Sequence, residues 1–483
     1  MATEHTKTGP SPPGHAGVVG AGIAGLSAAI ALRRSGWHVD VFERSQFKNE
    51  TGAAITVTPN AALVLDRWGF DMARAEAMPN QSKIMGLAQD PLRVVDRQEY
   101  ADDASEIGYG VWSLHRVDLH HELRRLATTP TMPRADAAAG PPVQIRLGHA
   151  VERVDCEEGV LMLAGGHKVA KDLVIIADGA HVSVDTRCTK LGFSWTQMLT
   201  WTAAQSRLVS DFVGRPFEAH HTGRSMDRWL VPMDKVAAKP DLAAIFGRGP
   251  PGFMGWIDRD GDVLCITYRC RGGKLLNVAV AHKTRPRPHG EGGEGKWNSP
   301  ASKAEVLDTL KNFHRSLQKL VGMADEDGIQ SHHLYTRPPL ESFVRGRAVM
   351  VGDAAHVMKP THAAGAGIAI ESAATLEVLF RGFNAAKDAP AMRRRLELFD
   401  ELRIPRCNLT MLASNAARGC FPAPGKEEKT LRRFYSGPLL PPSTSPYSKA
   451  CRKLLFDHDE FRAAEDLLYR AQAEELWGFL GGG

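Results

Sequence analysis

Ala16-Gly17-Val18-Val19-Gly20-Ala21-Gly22-Ile23-Ala24-Gly25-Leu26-Ser27-Ala28-Ala29-Ile30-Ala31-Leu32 decides how the rest of the chain is read. Ala16 to Val19 gives a short buried strand, and Ile23 to Ser35 reads as a helix that Gly36 stops. Between them Gly20-Ala21-Gly22-Ile23-Ala24-Gly25 fits the pattern G-x-G-x-x-G. Gly20 permits a tight turn, Gly22 lets backbone N–H groups approach a pyrophosphate, and Gly25 lets helix and sheet pack closely. The phosphates then meet a helix N-terminus, where free N–H groups and the dipole favour negative charge. Trp37 to Glu43 alternates as a second strand. A carboxylate at its end accepts hydrogen bonds from two ribose hydroxyls and repels a 2′-phosphate. The ligand expected here is FAD or NAD, not NADP.

Outward from this unit, Asp172 to Ala177 is a second continuous apolar strand and Ala348 to Val351 a third, each ending in a Gly- or Asp-containing turn. That repetition predicts one sheet assembled from distant segments. Strand-like stretches at Trp229 to Val231 and Val263 to Tyr268 predict a second β layer in the middle of the chain. A helix is expected over Lys303 to Val321. The C-terminal part reads as mostly helical, broken by a Pro-rich loop from Phe421 to Tyr447, and Met1 to His15 as a disordered tail. No internal repeat is seen.

The chain has 483 residues, enough for two or three domains, with 43% apolar and 24% charged residues, a globular balance. Lys and Arg (60) against Asp and Glu (55) leave only +5, with no block of like charge, so no nucleic acid is expected as partner. Seven cysteines are scattered without a CxxC pair, which fits a reduced, cytoplasmic setting. The apolar run from Ala16 is short for a membrane span and its glycines serve the turn, so no stable membrane insertion is expected. His115, His120 and His121 lack metal-ligand spacing, so no metal is expected. No G-x-S-x-G elbow is present.

FAD and NAD are separated by the motifs Gly352-Asp353-Ala354-Ala355-His356 after the third strand and Gly365-Ala366-Gly367 at the start of a helix. With Gly52-Ala53-Ala54-Ile55, Pro59-Asn60-Ala61, His115-Arg116-Val117-Asp118-Leu119 and Ala177-Asp178-Gly179, they stand in an order that resembles the class A flavoprotein monooxygenases, the family of salicylate and para-hydroxybenzoate hydroxylases. The resemblance runs from about Gly17 to Arg406. The fold it implies is α/β. A Rossmann-like FAD-binding domain (16–75, 105–187 and 335–395) is interleaved with a β-sheet-containing substrate domain (76–104 and 188–334), and 396–483 forms a helical C-terminal region.

The resemblance also implies roles. Gly20, Gly22, Gly25, Glu43, Ala54, Arg116, Asp178, Asp353, Gly365 and Ala366 would bind FAD, with Asp353 on the ribityl chain and Arg116 on the pyrophosphate or ribityl side. The turn at Gly365 would aim N–H groups at the flavin N1–C2 edge, where reduced flavin carries negative charge. NAD(P)H would reduce the flavin, O₂ would add at C4a, and a hydroxyl would pass to an aromatic, phenolic or polyketide-like small molecule. The enzyme would act as a monomer or homodimer. His362 is the candidate base beside the flavin, and Arg207 the candidate arginine facing substrate. Epoxidation or oxidative dearomatisation is a second reading, and a flavin-binding protein that has lost turnover a third. Three departures from the family pattern stand out: Val182 and Asp185 follow Asp178-Gly179, with Ser183 and Arg187 shifted; Ala363-Ala364-Gly365 replaces Gly-Gln-Gly; and Val231 stands where a tyrosine is common.

Overall fold

The computed structural model describes residues 14–47, 53–134, 139–179, 207–247, 249–286, 298–383, 389–416, 425–441, 443–445 and 448–481. Its first sheet has six strands, in the order Val344–Arg345, Ala348–Met350, Leu173–Ile176, His15–Val19, His38–Glu43, Gln144–Leu147. His15–Val19 runs parallel to both neighbours, with Ala16 opposite Leu173 and Val39. Leu173–Ile176 is fully buried, as a parallel strand covered on both faces must be. The helix Ile23–Arg34 lies between this sheet and the long helix Gly365–Phe380, so its residues from Gly25 to Arg33 are all buried. That double burial explains an apolar pattern that runs around the helix instead of along one face.

The second sheet has eight strands: Asn298–Pro300, Gln330–Thr336, His220–Pro232, Leu275–Lys283, Leu264–Cys270, Gly252–Ile257, Ser82–Leu87, Arg93–Glu99. Trp229, Val231 and Val278 point from one face into a core with Leu317 and Leu320. Because side chains alternate, Leu230, Ile266 and Tyr268 point the other way, where they pack with Phe253 and with Ala54 of the dinucleotide unit. This second face is therefore the one turned toward the dinucleotide unit, the cleft face of the sheet.

Several stretches differ from the sequence reading: His15, assigned to the tail, opens the first strand because it pairs with His38, and the loop expected over Phe421 to Tyr447 carries the helix Lys426–Arg432. The expected helix over Lys303 to Val321 is two helices, Lys303–Thr309 and Arg315–Gly322. His314 breaks it: its N–H bonds the carbonyl of Ala88, and its ring accepts the N–H of Ser316 as a cap. The short helix Arg207–Val213, within the segment assigned to the substrate domain, packs on the strand Val151–Asp155, and its Leu208, Val209 and Phe212 join the core of the dinucleotide unit.

Behind the Gly365–Phe380 helix lies a buried ion network. Glu371 accepts from Arg403 (3.0 Å), Arg406 (2.8 and 3.1 Å) and Asn60 (2.6 Å), and Arg403 also pairs with Glu460 of the last helix. Burial pushes the Glu371 carboxyl up, but Arg406 and Arg403 reverse this and hold it well below the usual carboxylate range. Glu371, His458 and Glu460 lie close enough for a metal ion, yet the two guanidinium groups already neutralise them. No helix among the described residues is long and apolar enough to cross a membrane.

Candidate active site

Gly20 has φ +95°, and a Cβ on it would lie 2.6 Å from the Ala177 carbonyl oxygen. A Cβ on Gly25 would lie 1.9 Å from the Gly20 oxygen, so no other residue fits where the helix starts against the turn. Gly22 differs: a Cβ there would meet no protein atom within 4 Å. Its side of the turn is open space, the opening that a pyrophosphate needs. Glu43, half-buried at the end of its strand, accepts the Ala21 N–H (2.8 Å) and the Ser45 N–H (2.7 Å), which leaves its remaining lone pairs for ribose hydroxyls.

Asp178 lies beside Gly20, just past the strand Leu173–Ile176. Across from it Asp353 opens the short helix Asp353–His356, after Gly352, whose φ of +65° and contact with Ala24 demand glycine. The Asp353 side chain is exposed, but into a recess with enough protein around it that desolvation raises its carboxyl, against the pull of Arg337 and Arg116. Arg116, exposed at the start of the helix Arg116–Thr128, reaches the same recess. That helix is tied to the second sheet by Asp118, which accepts two hydrogen bonds from Arg271 (2.6 and 2.8 Å). Gly365 opens its helix with free space around an added Cβ, and Ala366 follows it half-buried. Ala54, on the strand Ala54–Val57, packs beneath against Tyr268 and Cys270.

Arg337 belongs to this recess, although no sequence motif marked it. It is buried, donates to the Ala354 carbonyl (3.0 Å), and leaves its Nε without a hydrogen-bond partner while Asp178 and Asp353 exert their charge on it. A buried orphan donor beside two carboxylates fits a cleft that awaits a polar ligand.

His362 sits half-buried on the turn Pro360–His362, its Nδ1 3.4 Å from the Ser414 hydroxyl of the helix Ala389–Asn415. The next residue, Ala363, holds φ +54° where the family often has glycine. A left-handed alanine costs about 1 kcal/mol, so Ala363→Gly is expected to raise the thermal midpoint by about 1–2 °C, which differential scanning calorimetry reads directly. Residues 180–206, which hold the departures after Asp178-Gly179, lie outside the described residues.

Arg207 opens the helix on the Val151–Asp155 strand, away from the eight-stranded sheet, and its side chain is outside the described residues. The arginine on the cleft face of that sheet is instead Arg228. Its Nε donates to the Met226 sulfur (3.1 Å), a weak acceptor and the only one it finds among the described residues. Burial, then the Arg116 charge, pull its pKa down, while Tyr268 opposes them. Tyr268 itself, hydrogen-bonded to Thr56, is pushed up by burial, and His332 on the neighbouring strand is pushed down to about 4 by burial and by Arg228. A desolvated cation, a neutral imidazole and a phenol thus share one apolar face.

Two family models match, an NAD(P)-binding Rossmann-like domain over residues 18–54 and an FAD binding domain over residues 293–401. Hispidin-3-hydroxylase of Neonothopanus nambi is 29% identical over 413 residues, which cover 82% of this chain and 86% of that protein. The FAD-dependent monooxygenase phomE' of Diaporthe leptostromiformis is 28% identical over 78% of this chain and 85% of its own length. In structure, CtdE in complex with FAD and a substrate superposes with a TM-score of 0.69 at 17% identity, over 96% of this chain and 99% of that one. A salicylate hydroxylase substrate complex gives 0.64 at 22% identity, over 94% and 98%. Sequence relatives, family models and fold agree on an FAD-dependent monooxygenase, an oxidoreductase similar to the class A flavoprotein monooxygenases.

Proposed function

We propose that this monooxygenase hydroxylates a phenolic or enolic aromatic small molecule, with NAD(P)H as reductant and O₂ as oxygen source. The observation that carries the reading is Arg228, a desolvated guanidinium with no carboxylate partner among the described residues, on the cleft face of the second sheet. Such a group favours an oxyanion, so it draws the substrate's hydroxyl toward its ionised, electron-rich form. Tyr268 and Phe253, whose ring centroids lie 4.5 Å apart at a tilt of 41°, offer an apolar surface for the ring. Hispidin-3-hydroxylase, by name a hydroxylase of a small molecule, supports the reaction class.

In the proposed arrangement FAD lies along the first crossover. The open side of the Gly20–Gly25 turn receives the pyrophosphate, Glu43 the adenosine ribose, Asp353 and Arg116 the ribityl region, and the Gly365 N-terminus the electron-rich edge of the ring. When bound and reduced, FAD supplies the activated oxygen. The chain's own work is to position the substrate ring, hold its oxygen as an anion on Arg228 and keep water out. His362 is the proposed proton acceptor, on the Pro360 turn just before the Gly365 helix.

The test is NAD(P)H consumption across a panel of phenols and hydroxypyrones, with products identified by mass spectrometry. Phenol-stimulated consumption with a gain of one oxygen is the expected result. An epoxide or a product that has lost its aromaticity points to the alternative chemistry, and no stimulation by any phenol overturns the reading. Arg228→Met is expected to lower kcat/KM about 10–100-fold, the cost of one hydrogen bond to a charged group, while the flavin spectrum stays that of the wild type.

A further inference from the structure

Beneath the phosphate-side turn lies a histidine with no part in the chemistry so far. His120, in the middle of the helix Arg116–Thr128, is 4% exposed, and its Nε2 lies 2.8 Å from the Ala21 carbonyl oxygen. A carbonyl only accepts, so Nε2 carries the proton. The N–H of the same Ala21 is held by Glu43 at 2.8 Å. One residue of the turn is thus gripped at both backbone polar atoms, by side chains from two separate elements. The imidazole is braced in turn: the Phe47 ring meets it edge-on at 4.9 Å, the Arg124 guanidinium lies 5.8 Å over Phe47, and Phe47 holds a left-handed φ of +53° to be there. An aromatic residue in that conformation is uncommon and is retained only where its surroundings demand it.

We infer that His120 is a positioning residue for the dinucleotide, one that acts through the Ala21 carbonyl to fix the orientation of the turn at Gly22. The inference rests on the proposal that FAD lies along this crossover. Two successive peptide planes are each clamped at one atom, and the Ala21 carbonyl shares its plane with the Gly22 N–H, so that N–H stays aimed at the pyrophosphate before it arrives and the ordering cost of binding falls. With the Nε2 bond gone, the Ala21 carbonyl loses its side-chain clamp, while Glu43 still holds the Ala21 N–H. The effect should follow the pyrophosphate and be indifferent to the isoalloxazine.

ADP carries that pyrophosphate without the flavin and separates the two. In full-length protein, His120→Leu is expected to weaken both FAD and ADP about tenfold, by the same factor, as read by flavin fluorescence and by calorimetry. His120→Gln, whose amide N–H reaches about as far as Nε2, is expected to restore both. Wild-type affinities in the leucine variant overturn the inference. So does weakening of FAD alone, which would place the effect at the ring, and so does a glutamine variant as weak as leucine, which would make the role one of packing. Failure of the wild-type protein to bind either FAD or ADP would instead sink the cofactor assignment underneath.

Discussion

Glu371→Leu should lower the stability of the protein by about 3–5 kcal/mol, because it leaves the buried Arg406 and Arg403 without their shared counter-charge. The measurement is the thermal midpoint of the variant against wild type, and a change of less than a degree or two would show the network to be dispensable. The pH dependence follows from the sign of the shift. The folded carboxyl sits below its unfolded value, so its contribution is complete above the ordinary glutamate range and fades as pH falls toward the folded pKa. The gap between wild type and variant should therefore narrow in acid. Replacing the whole cluster by apolar residues of matching volume should cost far less than breaking it, since desolvating so many charges offsets much of their attraction.

Gly22→Val and Asp353→Ala should each yield protein that loses FAD during purification, seen as a collapse of the absorbance near 450 nm per mole of chain. The two fail for different reasons. A Cβ at 22 meets no protein atom within 4 Å, so the chain is expected to fold, with the methyl groups of valine in the space in front of the turn. Alanine at 353 removes the carboxylate proposed to hold the ribityl chain. Gly25→Val is the control: a Cβ there strikes the Gly20 oxygen at 1.9 Å, so that variant should fail to fold at all. Full FAD occupancy in both the Gly22 and the Asp353 variants would refute the assignment.

What the sequence made legible follows from how locally each feature is specified. The Gly20–Gly25 turn, the parallel strands and the Asp353 and Gly365 motifs are contiguous patterns, each with its own steric signature; the structure sets Gly20 beside Asp178 and Gly352 against Ala24 of the first helix. Arg228 and Arg337 were not legible because each is a single residue whose meaning comes from distant neighbours. Arg228 needs the registry of the second sheet to set it on the cleft face, opposite Gln330 on one side and Ala279 on the other. Parity alone could have suggested it: Trp229 and Val231 read as core, so Arg228 and Leu230 must point the other way. The split at His314 depends on a bond to Ala88, more than two hundred residues away, and no helical periodicity encodes that.

The six-stranded sheet joins His15–Val19 to Leu173–Ile176, which in turn pairs with Ala348–Met350, and Arg403 waits for Glu460. On the ribosome, then, the first strand emerges long before its partner at residue 173, and the central ion network closes only once the last helix has left the exit tunnel. Such non-local pairing slows folding and leaves the nascent chain exposed. Premature stop codons upstream of Glu460 should be as damaging as lesions in the cleft, and chaperone supply should set the yield of recombinant protein.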